Sequence, residues 1–188
     1  MTTELRTNRQ QKMNEQIILR QEIKEDFSEV FKINDLAFGQ DNEAKLVDAL
    51  RKNETAFVPE LSIVATKDNK IVGHILFTKI NIKDDNGILN ESLALAPVAV
   101  KTELQKSGIG GQLIRKGFEV AKELGFKSII VLGHEHYYPK FGFEPAEKWN
   151  IKAPFEVPSN VFMAIELVPD GLKNITGIVN YAKEFETV

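Results

Sequence analysis

Two short stretches carry the residue types that can do chemistry. The first is Gln105-Lys106-Ser107-Gly108-Ile109-Gly110-Gly111, a glycine-rich turn. The second is Tyr137-Tyr138, two adjacent phenols that follow His134-Glu135-His136. Glycines ahead of a helix suit an anion. The first amides of a helix have no intrahelical partner, and the helix dipole adds partial positive charge there. Glycine removes the Cβ atoms that would hold a phosphate at a distance. The amides from Lys106 to Gly111 can therefore cradle a phosphate or pyrophosphate. The same glycines also suit a structural turn before a core helix, and alone they do not separate the two readings. The turn is not a Walker loop, since G-x-x-x-x-G-K-[ST] is absent. It also fails the dinucleotide fingerprint, because the last position of G-x-G-x-x-G is Leu113.

The flanking elements position this turn. Leu93 to Val100 is an apolar run bounded by polar residues, and it reads as a buried strand. Lys101 to Leu104 is a polar linker. After the turn, Leu113, Ile114, Gly117, Phe118, Ala121 and Leu124 recur at helical spacing, and Gly125 closes the helix. Ser128 to Leu132 reads as a second buried strand. Strand, helix and strand at this spacing imply a parallel, right-handed crossover. Pro97 lies inside the first strand and cannot donate to a ladder, so that strand is expected to be unpaired or bulged on one side.

Upstream, residues 1–16 read as a flexible arm. Ile17 to Gln21 is a short strand. Glu22 to Phe38 is roughly helical in period and stops at Gly39. Asp41 or Asn42 caps a second helix that runs to Asn53. Leu61 to Thr66 and Ile71 to Ile82 form a hairpin around Asp68-Asn69-Lys70, with Gly73 marking a bulge or a close backbone approach. Asp84 to Gly87 is a further turn. Val161 to Leu167 is a last strand, and the tail from about residue 168 reads as short helix or loop, with breaks at Gly171 and Gly177.

The motifs resemble a known family. Gln105-x-x-Gly108-x-Gly110 after a strand ending Val98-Ala99-Val100 is similar to motif A of the GCN5-related N-acetyltransferases (GNAT). Tyr137-Tyr138-Pro139-Lys140-Phe141-Gly142-Phe143 resembles the family's motif B, a Tyr four residues before Gly-Phe. The wording Val131-Leu132-Gly133-His134, and the ending Phe162-Met163-Ala164 with Gly171, Leu172, Gly177 and Tyr181, looks like the YhbS-like bacterial subgroup. The resemblance spans roughly Ile17 to Phe185.

The resemblance implies an α/β acyl-CoA N-acyltransferase fold. Its mixed, mostly antiparallel sheet splays at the cofactor strand and is flanked by helices. It makes residues 17–188 one domain. It implies acetyl-CoA as acyl donor, with pyrophosphate on Gln105, Lys106, Ser107, Gly108, Ile109, Gly110 and Gly111. The backbone of Val98, Ala99 and Val100 would meet the pantetheine arm, and an N–H near Val98 or Ala99 would polarise the thioester. Tyr138 matches the tyrosine that protonates the departing thiolate, with Tyr137 as a packed neighbour. The two early helices and their loop would shape the acceptor pocket. Asp41 and Glu43 become candidate acceptor contacts there, although both also suit a helix cap and its first turn.

The general base stays open. Where many members carry a strand Glu, this chain has a position near Ala94. Water relayed by Glu91, Glu43, His134 or Glu135 is the alternative. His134-Glu135-His136 is not H-E-x-x-H, since position 138 is Tyr, so no metal is expected. The function expected is acetyl transfer to a primary amine by direct attack in a ternary complex. A non-catalytic acyl-CoA-binding or sensing module, and a nucleotide-binding regulatory domain, are the other readings.

Composition narrows the rest. The chain has 188 residues, 43% apolar and 27% charged, which fits one soluble domain. A formal net charge of −3 argues against nucleic acid as the main partner. No apolar run approaches the ~18 residues of a membrane helix, and no signal core opens the chain, so a cytoplasmic monomer or homodimer is expected. With no cysteine there is no disulfide, no thiolate site and no cysteine nucleophile.

Overall fold

The computed structural model describes residues 16–187. The arm expected over residues 1–16 lies, apart from residue 16, outside the described residues. Strand β1 (Ile18–Gln21) is followed by a 3-10 turn and helix α1 (Phe27–Phe38). Gly39 ends α1 as expected: its φ is +68° and its N–H donates to the Asp35 carbonyl at 2.9 Å. Helix α2 (Asn42–Leu50) begins after Asp41, whose side chain pairs with Lys45 at 2.8 Å instead of capping the helix.

Strands β2 (Phe57–Lys67) and β3 (Lys70–Lys83) form the expected hairpin, each longer than its apolar centre. Asp68 and Asn69 have φ of 51° and 59°, the two positive angles that a two-residue hairpin turn requires. Strand β4 (Leu89–Val100) pairs antiparallel with β3. Helix α3 (Ile109–Glu123) ends in a Schellman closure: Gly125 N–H donates to Lys122 and Phe126 N–H to Ala121, both at 3.0 Å. Strand β5 (Ser128–Leu132) follows. The short β6 (Glu144–Pro145) and β7 (Ile151–Lys152) precede β8 (Phe162–Glu166) and β9 (Gly177–Asn180).

Strand β9 corrects the sequence reading of the tail as helix or loop. It pairs antiparallel with β3 and parallel with β7. It is short, and only Val179 in it is buried, so periodicity had little to act on. Gly177 is a close approach and not a break. With φ +132°, a Cβ there would lie 2.0 Å from the Lys83 carbonyl oxygen.

The strands form one sheet in the order β1-β2-β3-β4-β5-β8-β6, with β9 joined to β3. It is mostly antiparallel; β4–β5 and β7–β9 are the parallel pairs. Helix α3 covers one face, over Leu61, Ile63, Ile75 and Phe77. Helices α1 and α2 cover the other, over Val64, Ile71, Leu76 and Ala99. Burial on both faces explains the near-continuous apolar runs of β2 to β4.

Strand β4 is irregular at Pro97. The Ala96–Pro97 bond is cis, and the ladder to β3 shifts register between Ile75 and Phe77. Ahead of the shift Leu93 and Leu95 face α3; beyond it Ala99 packs on the α1–α2 side while Val98 and Val100 pack toward α3. One bulge has exchanged the faces of the strand. On its other edge β4 pairs with β5 only at Leu93–Ile129 and Ala94–Ile130. Strand β5 continues to Leu132 along β8, so the sheet splays from Leu95 onward.

Candidate active site

The splay opens into a cleft of about 600 Å³. Ala94 to Val98 form one wall, and Ile130, Leu132, Gly133 and His134 form the opposite one. Tyr137 and Tyr138 line the cleft as well. Phe38, Glu43 and Leu46 come from α1 and α2, and Phe155, Tyr181 and Phe185 come from the segments after β5.

Tyr138 is buried at the floor. Its ring meets Tyr137 edge-on at 5.3 Å and Phe143 edge-on at 5.6 Å. Burial pushes its phenol well above the ordinary range, and Tyr137 beside it adds to the shift, so the hydroxyl stays protonated. Gly133 makes room for the ring: a Cβ there would lie 2.2 Å from Tyr138 Cε2.

None of Gln105 to Gly111 lines the cleft; they sit at the start of α3. Lys106 and Gly108 have φ of 63° and 90°. Gln105 Nε2 donates to the Val100 carbonyl at 3.3 Å and Ser107 Oγ to that of Leu104 at 2.5 Å, which ties the turn to the end of β4. The first bond of the helix ladder runs from Gln112 N–H to the Gly108 carbonyl at 3.1 Å, leaving the amides ahead of it without intrahelical partners. Gln105 to Gly108 are exposed, whereas the side chain of Ile109 belongs to the core, so Ile109 can offer a ligand only its backbone.

Tyr137 joins the turn to the cleft. A Cβ on Gly110 would lie 2.9 Å from its hydroxyl oxygen. Its ring meets Phe141 at 5.2 Å; Arg115 lies over Phe141 at 5.1 Å and donates to the Gly111 carbonyl at 3.3 Å. Burial raises the Tyr137 phenol, and the Arg115 charge opposes the shift. Sequence reasoning treated Tyr137 as a neighbour of Tyr138; its contact with Gly110 crosses from one motif to the other and has no local signal.

Of the three strand residues, Val98 lines the cleft, Val100 packs beneath α3, and Ala99 is buried against α1 and α2. Their backbones are paired with β3 on one edge, at Ile75, His74 and Gly73, and face the splay on the other. Of the four candidates for a base, Glu43 and His134 line the cleft. Glu91 instead pairs with Lys79 at 3.6 Å in a separate polar cavity, and Glu135 pairs with His136 at 3.2 Å near the surface. Asp41 is not a cleft residue. Among the described residues no three His, Cys, Asp or Glu side chains are grouped to hold a metal ion, and no helix is long and apolar enough to cross a membrane.

The acetyltransferase (GNAT) family model matches residues 20–143. The uncharacterized N-acetyltransferase YjhQ of Escherichia coli K12 is 43% identical over 138 residues, 72% of this chain and 74% of that protein. The crystal structure of the GNAT family N-acetyltransferase YhbS from Escherichia coli in complex with CoA superimposes with a TM-score of 0.83 at 28% identity, covering 90% of this chain and 92% of that one. A GNAT family acetyltransferase from Brucella melitensis, in complex with acetyl-CoA, superimposes with a TM-score of 0.74 at 30% identity, covering 90% of this chain and 98% of its own.

Proposed function

The chain belongs to the acetyltransferase (GNAT) family, and on that premise we propose that it transfers the acetyl group of acetyl-CoA to a primary amine by direct attack in a ternary complex. The observation that carries this reading is the splay of β4 from β5 beyond Ala94, with Tyr138 at its floor and the glycine turn beyond Tyr137. The relatives seen with CoA and acetyl-CoA support the choice of donor.

The amides from Lys106 to Gly111 hold the pyrophosphate. The free edge of Val98 to Val100 receives the pantetheine arm, and an N–H there polarises the thioester carbonyl. The amine nitrogen attacks the carbonyl carbon, a C–N bond forms and the C–S bond breaks. An acceptor that binds as an ammonium loses one proton before it attacks; Tyr138 then donates its proton to the departing sulfur, and the nitrogen loses a second proton. Glu43 and His134 supply the carboxylate and imidazole through which those protons leave, directly or by water, one of them restoring the Tyr138 hydroxyl. The chain has no cysteine, which favours direct transfer over a thiol acyl-enzyme. Residues 17–188 act as one domain in this reading.

One observation favours a second reading, a non-catalytic acyl-CoA-binding module. Ala94, buried in the cleft wall, stands near the position where the family resemblance implies a basic Glu. Calorimetry with acetyl-CoA, followed by thiol release with a panel of amines, separates the two. Binding with amine-dependent release is expected. Binding without release from any amine supports the module, and a preference for ATP over acetyl-CoA overturns both.

A further inference from the structure

The acceptor end of the cleft has a chemistry of its own. Tyr181 stacks on Phe155 at 6.4 Å and 15°, and Phe185 packs against Tyr181 at 5.1 Å. All three line the cleft, on the wall built by the chain after β5. The wall is anchored, because Asn180, next to Tyr181, pairs with Asn81 of β3. The rim is also apolar: Phe38 is 42%, Leu132 47% and Phe155 49% exposed. Among the described residues lining the cleft, Glu43 is the one Asp, Glu, Lys or Arg. Its carboxylate accepts from Gln40 Nε2 at 3.2 Å on each oxygen.

These features discriminate between amines. With no Lys or Arg in the lining, an acceptor bearing a carboxylate or phosphate would find no fixed positive charge to pair with in a largely apolar wall. A polycation would find one carboxylate and lose hydration at its other charges. A flat apolar body covers the three rings and the rim, and a single ammonium on a short chain faces Glu43. The volume of about 600 Å³ is shared with the acyl end of the donor, so the acceptor is small.

We propose that the acceptor is a small primary amine carried by an aromatic body, with its ring against Phe155, Tyr181 and Phe185 and its ammonium toward Glu43. This rests on the acetyl-transfer reading given above.

The test compares 2-phenylethylamine, ethylamine, phenylalanine and spermidine as acceptors in thiol release, with acetyl-CoA binding measured separately by calorimetry. 2-Phenylethylamine should exceed each of the others by about tenfold or more in kcat/KM, the scale of one buried ring. Phe155→Ala, at a half-exposed position, should raise its KM by about tenfold and leave acetyl-CoA affinity unchanged. If acetyl-CoA binds and phenylalanine or spermidine is acetylated as well as 2-phenylethylamine, the acceptor assignment is overturned while acetyl transfer stands. If no amine is acetylated, acetyl transfer falls and the acceptor assignment with it.

Discussion

Gly133 and Tyr138 are in direct contact: the Tyr138 ring occupies the space of a Gly133 side chain, and a Cβ there would lie 2.2 Å from Cε2 and 2.8 Å from Cδ2. The ring cannot keep this position beside any other residue. Gly133→Ala should therefore displace the phenol while the rest of the fold persists. A misplacement of about 1 Å can cost on the order of 10²-fold in rate, and a loss of that order is expected in kcat. In a Tyr138→Phe background the same substitution should cost little more, because both changes act on one group. Steady-state kinetics of the double-mutant cycle checks this; additive losses would assign Gly133 another role.

Gly117 plays a corresponding part in the core. A Cβ there would lie 2.1 Å from Cε2 of Phe77, where α3 crosses β3. Gly117→Ala should destabilise the fold by about 1–3 kcal/mol through overpacking. Urea unfolding measures it. Unchanged stability would mean that the Phe77 ring yields to the added methyl without cost.

Helix and strand placement was legible in sequence where the signal was local. The strand–turn–helix unit from Leu93 to Gly125, the hairpin at Asp68-Asn69 and the stop at Gly39 rest on nearby residues, and each appears where composition and periodicity put it. The bulge and the parallel pair follow the reading of Pro97 and the crossover, and the splay follows the family resemblance. Features that depend on distant partners were not legible. Gly133 looks like any loop glycine until the Tyr138 ring is laid on it. Glu91 sits in the strand expected to hold a base, yet it pairs with Lys79 away from the cleft. The aromatic wall joins residue 155 to residues 181 and 185 through β9, a strand too short to show a pattern.

A buried chain of hydrogen bonds ties β2, β3 and α1 together. Asn34 Nδ2 lies 3.3 Å from His74 Nδ1, His74 Nε2 lies 3.0 Å from Ser62 Oγ, and Ser62 Oγ donates to Glu22 at 2.7 Å. Arg51 pairs with both Glu22 and Asp48. With the Ser62 proton committed to Glu22, Nε2 of a neutral His74 is the donor and Nδ1 the acceptor. Burial, with the Arg51 charge, lowers the His74 pKa to about 3.

The unfolded imidazole titrates near ~6.5, so below that pH the unfolded state binds the extra proton. The stability contributed by neutral His74 is present above about 6.5 and is lost as pH falls toward 3. Between pH 7 and pH 5 the loss should be about 2 kcal/mol. Chemical denaturation at both values checks it. A flat profile would show that the imidazole is not held neutral.

The glycine turn can be tested without disturbing the floor of the cleft. Gly110→Asp should abolish acetyl-CoA binding, but its Cβ would also press on the Tyr137 hydroxyl at 2.9 Å. Tyr137→Phe removes that oxygen. In this background Gly110→Ala should bind acetyl-CoA and Gly110→Asp should not, since only the second places a negative charge at the phosphate site. Calorimetry distinguishes them. Equal affinity for the two would move the pyrophosphate away from the start of α3.

The most direct test of the catalytic account is Tyr138→Phe, which removes one hydroxyl and little volume. Acetyl-CoA affinity and stability should barely change, because the phosphate turn lies elsewhere and the ring contacts remain. Turnover should fall by about 10²–10⁴-fold, in kcat and kcat/KM together, as for a group that acts in the transition state. The loss should shrink with a donor whose leaving thiol is more acidic. A Tyr138→Phe enzyme that keeps its kcat and changes only KM, or loses no more than Tyr137→Phe, would contradict the assignment of Tyr138 as the acid.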